Sequence, residues 1–151
     1  MFDFAQRRVP MTGSVRHGGA GSTRVVVPVT FNHAIVFAHD KHLSASFFAS
    51  LFGLPEPVAW GPFVSVRLDQ GGLVQFADAA FDIQPQHYAF LVGEEDFDGI
   101  YGRIVDGGLD HWADPQMSRP GTFNTNHGGR GVYFRDRTGH NLEALTSPYD
   151  D

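Results

Sequence analysis

One order of elements runs through this chain twice, and that recurrence limits the fold more than any single motif does. TFNHAIVF (30–37) reads as a strand, and DKHLSASFFASLFG (40–53) reads as a helix that Asp40 can cap at its start and Gly53 at its end. Within that helix Leu43, Phe47, Phe48 and Leu51 fall at i, i+4, i+5 and i+8 and form the predicted apolar face. Three short strand-like runs follow, PVAW (57–60), FVSVRLD (63–69) and LVQFAD (73–78), separated by the turn signals Gly-Pro and Gln-Gly-Gly. The second half keeps the order. QHYAFLV (86–92) reads as a strand, and EEDFDGIYGRIVDGG (94–108) as a helix that is acidic at its start and glycine-rich at its end, with Phe97, Ile100, Tyr101 and Ile104 at helical spacing. A short strand near 110–113 follows, then GVYFRD (131–136) and HNLEALT (140–146). The halves share layout rather than letters, so the duplication is one of structure. The predicted fold class is α+β, two βαβββ modules over about 30–80 and 85–147 within one domain covering 25–151.

Composition bounds the chemistry. An apolar content of 42%, with 14 phenylalanines, is enough for a packed core. The absence of cysteine excludes disulfides, zinc–thiolate sites, iron–sulfur clusters and a cysteine nucleophile. A net charge of −6 gives no electrostatic footprint for nucleic acid. Residues 1–24 carry four arginines against Asp3, or +3, which leaves −9 for the rest. Residues 11–23 are Gly/Ser/Thr-rich and without period, so 1–24 is expected to be a flexible basic arm or a leader; Met11 offers a second start. VVVPV (25–29) is far too short to span a bilayer, and the arm lacks the apolar segment of a secretion signal, which favours a cytoplasmic protein.

Alternation along the strands picks out three side chains. His33 shares a face with Phe31, Ile35 and Phe37; His87 with Ala89 and Leu91; Glu143 with Asn141 and Leu145. Each interrupts a largely apolar face, and two imidazoles with one carboxylate form a set that holds a divalent metal and leaves positions open. Taken singly, each has another reading. His33 could be a hydrogen-bonded core histidine, His87 an exposed residue at a strand start, and Glu143 the partner of Arg130 or Arg135. Recurrence at equivalent places of a repeated unit favours the metal. His140 alternates to the side of Leu142, away from Glu143, and is left out of the site.

VYFRDRTGHNLEAL (132–145), with its aromatic residue, Asp136, Gly139 and Glu143, resembles the closing motif of the vicinal oxygen chelate superfamily. The resemblance extends over roughly 30–147. It implies a cup-shaped mixed sheet, with His33, His87 and Glu143 as metal ligands. It also implies a homodimer in which strands or loops of the partner close each site. Gln75 falls where glyoxalases of the superfamily carry a fourth ligand, and Ile35 falls where fosfomycin-resistance thiol transferases carry Thr. Tyr133, Asp136, Gly139 and Glu143 match the spacing of extradiol dioxygenases, although Arg137 replaces the usual Pro and His127 lies one residue too close to Tyr133. The resemblance therefore implies a non-haem Fe(II) oxygenase acting with O2 on a small aromatic or polyketide-like substrate that bears vicinal oxygens. Tyr133 and His127 would donate hydrogen bonds or shuttle protons, Gln75, Asn126 and Arg130 would face the substrate, and the loop 115–131 would act as a lid. The alternatives are a non-redox Mn, Ni or Zn enzyme and a metal-free protein that sequesters a small molecule.

Overall fold

The computed structural model describes residues 29–149, and the basic arm expected at 1–24 lies outside the described residues. In the first module β1 (His33–Ala38) leads through α1 (Lys41–Phe52) to β2 (Val58–Trp60), β3 (Phe63–Arg67) and β4 (Leu73–Asp78). The second module runs β5 (His87–Leu91), α2 (Glu94–Asp106), β6 (His111–Trp112), β7 (Gly131–Arg135) and β8 (Asn141–Leu145). The duplicated order is the one the sequence predicts. Each module closes its own four-stranded sheet, ordered β1-β4-β3-β2 and β5-β8-β7-β6. In both, the first strand pairs parallel with the last and the remaining pairs are antiparallel. This is the α+β architecture of two βαβββ modules. The mixed sheet is two sheets rather than one, because β1 and β5 are each an edge and share no ladder.

Local chemistry sets the element ends. The Asp40 carboxylate accepts the Leu43 N–H at 2.9 Å and caps α1, and Gly53 ends the helix at φ 69°, a left-handed conformation that glycine adopts without steric cost. Arg103 of α2 donates to the Leu51 carbonyl at 2.7 Å, placing a cation on the last turn of α1 and tying the two helices together. The buried face of α1 is Ser44, Ala45, Phe48, Ala49 and Leu51, which differs from the expected stripe: Leu43 is exposed and Phe47 only half-buried. Small residues at 45 and 49 let the helix lie close on β3 and β4, and this turns its core face away from Leu43. In α2 the predicted face holds, with Phe97, Ile100 and Ile104 buried.

Aromatic packing joins the modules behind their sheets. The Phe48 ring lies 5.8 Å from Phe76 in its own module and 5.1 Å from Phe90 in the other, while Phe52 sits 5.0 Å from Phe90 and 6.2 Å from Phe134. Tilted and edge-to-face contacts of this kind add to the burial of large rings. His140 supplies the polar part of the junction. Fully buried, it accepts the Gln86 N–H on Nδ1 at 3.0 Å and donates from Nε2 to the Phe37 carbonyl at 2.9 Å. It satisfies one backbone group next to β5 and one in β1, as neither edge strand can do for itself. His140→Leu is therefore expected to destabilise the fold by about 2–5 kcal/mol, since two backbone groups lose their partner. Urea unfolding checks this, and a loss below about 1 kcal/mol would show that the junction does not depend on the imidazole.

Candidate metal centre

The hairpin β7–β8 is held by its turn. The Asp136 carboxylate accepts the backbone N–H groups of Thr138, Gly139 and His140 at 2.9, 2.8 and 2.8 Å, and Gly139 takes φ 101°, which a side chain would oppose. This turn sets the register in which Tyr133 lies opposite Glu143. The Asp and Gly of the motif thus act on geometry and do not enter the site. Across β8, Glu143 pairs with Ala89 of β5, and Asn141 pairs with His87. The row through Glu143 is Trp112, Tyr133, Glu143 and Ala89. His87 reaches Glu143 along the sheet diagonal, past the small Ala89.

Glu143 is 2% exposed. Its Oε2 lies 3.1 Å from His87 Nε2, and its Oε1 accepts the Tyr149 hydroxyl at 2.6 Å. The Tyr133 hydroxyl donates in turn to the Tyr149 oxygen at 2.9 Å. Among the described residues no lysine or arginine lies within salt-bridge distance of this carboxylate. Burying a carboxylate without a countercharge costs several kcal/mol. The donor set fits a divalent ion in kind. Bonds of about 2.1 Å at right angles would put two ligand atoms about 3.0 Å apart, close to the observed separation of Nε2 and Oε2. The structure brings two such donors together: among the described residues no three His, Asp or Glu side chains gather as a metal cluster.

His33 stands apart from this pair. It begins the exposed face of β1, and its Nδ1 bonds to Asn32 Oδ1 at 2.7 Å. Gln75 is the counterpart of Glu143 in the first module, since β4 faces β1 and β3 there in the register β8 keeps with β5 and β7. It is buried and donates from Nε2 to Ser65 Oγ at 3.0 Å, a neutral pair where the second module has a charge. His127 meets the centre through Tyr149, with ring centroids 4.8 Å apart, and not through Tyr133.

Two expected substrate residues are engaged elsewhere. Arg130 is drawn to α2 by Glu94 Oε2 at 3.0 Å, by Asp98 and by the Glu94 carbonyl at 2.7 Å, and its guanidinium lies 4.4 Å over the Phe97 ring. The acidic first turn of α2 captures the nearest cation, which a reading of strand faces misses. Asn126 is exposed in a turn, where its N–H is held by Asn124 Oδ1 at 3.0 Å. The loop expected to be a lid is fastened down: Asp114 accepts the Ser118 and Arg119 N–H groups at 3.0 and 2.8 Å, and Asn124 bridges to Gly131. Strand alternation could not find Tyr149, which touches the Glu143 carboxylate, because it lies beyond the last strand in a segment without period.

The duplicated βαβββ fold, with a histidine–carboxylate pair on one face of its second sheet, defines a class of two-module α+β proteins. The comparisons with known proteins agree. No family model matches the chain. Two solved structures, Oxidase ChaP-H1 and Oxidase ChaP-H2, are each 52% identical to it, with TM-scores of 0.80 and 0.79; the alignments cover 82% and 83% of this chain and 100% and 98% of theirs. Glutathione transferase FosA of Serratia marcescens is 29% identical over 122 residues, 76% of this chain and 78% of that one. A glyoxalase/dioxygenase from Nostoc punctiforme, 18% identical with a TM-score of 0.61 over 85% of this chain and all of its own, shares the fold. The chain belongs to the vicinal oxygen chelate superfamily.

Burial, and then hydrogen bonding with the Glu143 carboxylate, raise the Tyr133 phenol well above its usual value of 10.0, and the same two causes raise Tyr149. Both hydroxyls are neutral donors at neutral pH. A phenol that ionises later in the folded state contributes stability below the unfolded value and loses it as pH rises. Stability is therefore expected to fall as pH climbs past about 10, and Tyr133→Phe to flatten that fall. Denaturant midpoints across the alkaline range measure it; an unchanged slope in the variant would contradict the assignment.

Proposed function

We propose that the protein is a metal-dependent oxygenase whose centre is completed by two copies of the chain. His87 and Glu143 come from one copy and His33 from the other. The observation that carries this reading is the buried Glu143 carboxylate, which meets an imidazole and a phenol but, among the described residues, no lysine or arginine. His33 and His87 begin equivalent edge strands, β1 and β5, whose outward faces also leave Ile35, Phe37 and Leu91 exposed. Unpaired edges and apolar faces of this kind suit a second copy of the same chain. The native ion favoured is Fe(II), with Mn, Ni or Zn able to take the same donors. The 52% identity to two structures named oxidases supports oxidative over non-redox chemistry.

When bound, the ion supplies Lewis acidity and a common point of attachment for a vicinal pair of substrate oxygens and O2. The residues of the chain do the rest. Glu143 and His87 would hold the ion through Oε2 and Nε2. Tyr133, held neutral, keeps a proton at its hydroxyl beside the carboxylate and can lend it to an oxygen bound nearby. On the open face of the first sheet Trp60 and Phe63 stack at 6.3 Å with 17° between their planes, and they form a wall suited to a flat aromatic or polyketide-like substrate. Gln75 offers an uncharged amide in place of a carboxylate as fourth ligand.

Mixed dimers test the shared centre. His33→Ala and Glu143→Ala chains, each alone, are expected to bind no Fe(II) or Mn(II) anaerobically. A heterodimer of the two, purified through two different tags, is expected to recover one ion per two chains, because one of its two sites then has every ligand. A silent heterodimer beside a wild type that binds one ion per chain would place the whole centre within one chain. Wild-type protein that binds no ion would end the metal reading. Substrate-dependent O2 uptake by the Fe(II)-loaded protein then separates an oxygenase from an isomerase or transferase.

A further inference from the structure

The segment after β8 does more than end the chain. Tyr149 places its hydroxyl 2.6 Å from Glu143 Oε1, within the short range of hydrogen bonds to a carboxylate, while Oε2 faces His87. The two oxygens of one carboxylate are thus divided between a phenol and an imidazole. The position of the segment is built into the structure. Thr146 exchanges hydrogen bonds with Arg130, donating its N–H to the carbonyl at 2.9 Å and accepting the Arg130 N–H on Oγ1 at 2.8 Å. Ser147 Oγ donates to the His127 carbonyl at 2.8 Å. Gly129 makes the approach feasible: a Cβ there would lie 2.6 Å from Ser147 Cβ and 2.8 Å from Thr146 Oγ1.

We propose that Tyr149 is a positioning residue for the metal-binding carboxylate. It holds Oε1 so that Glu143 offers a single oxygen, Oε2, to the ion and leaves a coordination position for substrate. This rests on the reading of Glu143 as a ligand given above. A carboxylate with both oxygens free swings to chelate an ion through both, which fills a position the substrate needs. Tyr149 prevents that by occupying one oxygen. Residues that orient a ligand in this way typically change metal affinity by about 10–100-fold when removed. Tyr149 is itself half exposed and lies outside the core cluster, so Tyr149→Phe leaves the packed core intact.

The experiment uses Co(II) alone as the probe, titrated into the full-length wild type, Tyr149→Phe and Gly129→Ala. The first variant removes the hydroxyl, and the second displaces the segment without touching it. Both are expected to shift Co(II) affinity about tenfold from the wild-type value. Both should also alter the intensity of its visible absorption, which reports the number of ligand atoms, while circular dichroism shows the metal-free variants still folded. Wild-type affinity and an unchanged Co(II) spectrum in the two variants would overturn the proposal and leave the metal reading standing. A wild type that fails to bind Co(II) would overturn both.

Discussion

The structure around the site depends on one buried charge. Glu143 sits inside a sheet with 2% of its surface exposed, and among the described residues the groups that touch its oxygens are an imidazole and a phenol. A carboxylate so placed is costly, and a sequence keeps it only where something compensates. The two phenols and one imidazole compensate in part. A divalent cation held at Oε2 and Nε2 would complete the balance, and the spacing of those two atoms suits shared ligation.

The rest of the second module can be read as support for that charge. The Asp136 turn sets β7 against β8 so that Tyr133 stands opposite Glu143. Ala89 keeps the neighbouring place on β5 small, which opens the diagonal to His87. His140 faces away and fastens β1 to the start of β5 through two backbone groups. One module carries the charge and the other a neutral amide, Gln75, at the equivalent place. The duplicated fold has thus kept its geometry while its halves differ in electrostatics.

Much of this was legible in the sequence because it follows from short-range rules. Asp40 and Gly53 cap α1 as their chemistry requires, the acidic start and apolar spacing of EEDFDGIYGRIVDGG produce α2, and alternation assigns Glu143, His87 and His33 to strand faces. What was not legible depends on long-range packing. Leu43 left the core because Ala45 and Ala49 set how α1 lies on its sheet. Arg130 went to α2 because Glu94 and Asp98 lie over it in space, 36 and 32 residues away in sequence. Tyr149 lies in an irregular segment, and only the tertiary structure brings it to Glu143.

The most direct test of the account is anomalous diffraction, at the manganese absorption edge, from crystals grown with Mn(II). The account predicts one strong peak per chain, bounded by Nε2 of His87 and Oε2 of Glu143 and completed by His33 of a second copy. A clean map with no peak at that carboxylate, or a peak elsewhere with Glu143 still bonded only to His87 and Tyr149, would contradict it.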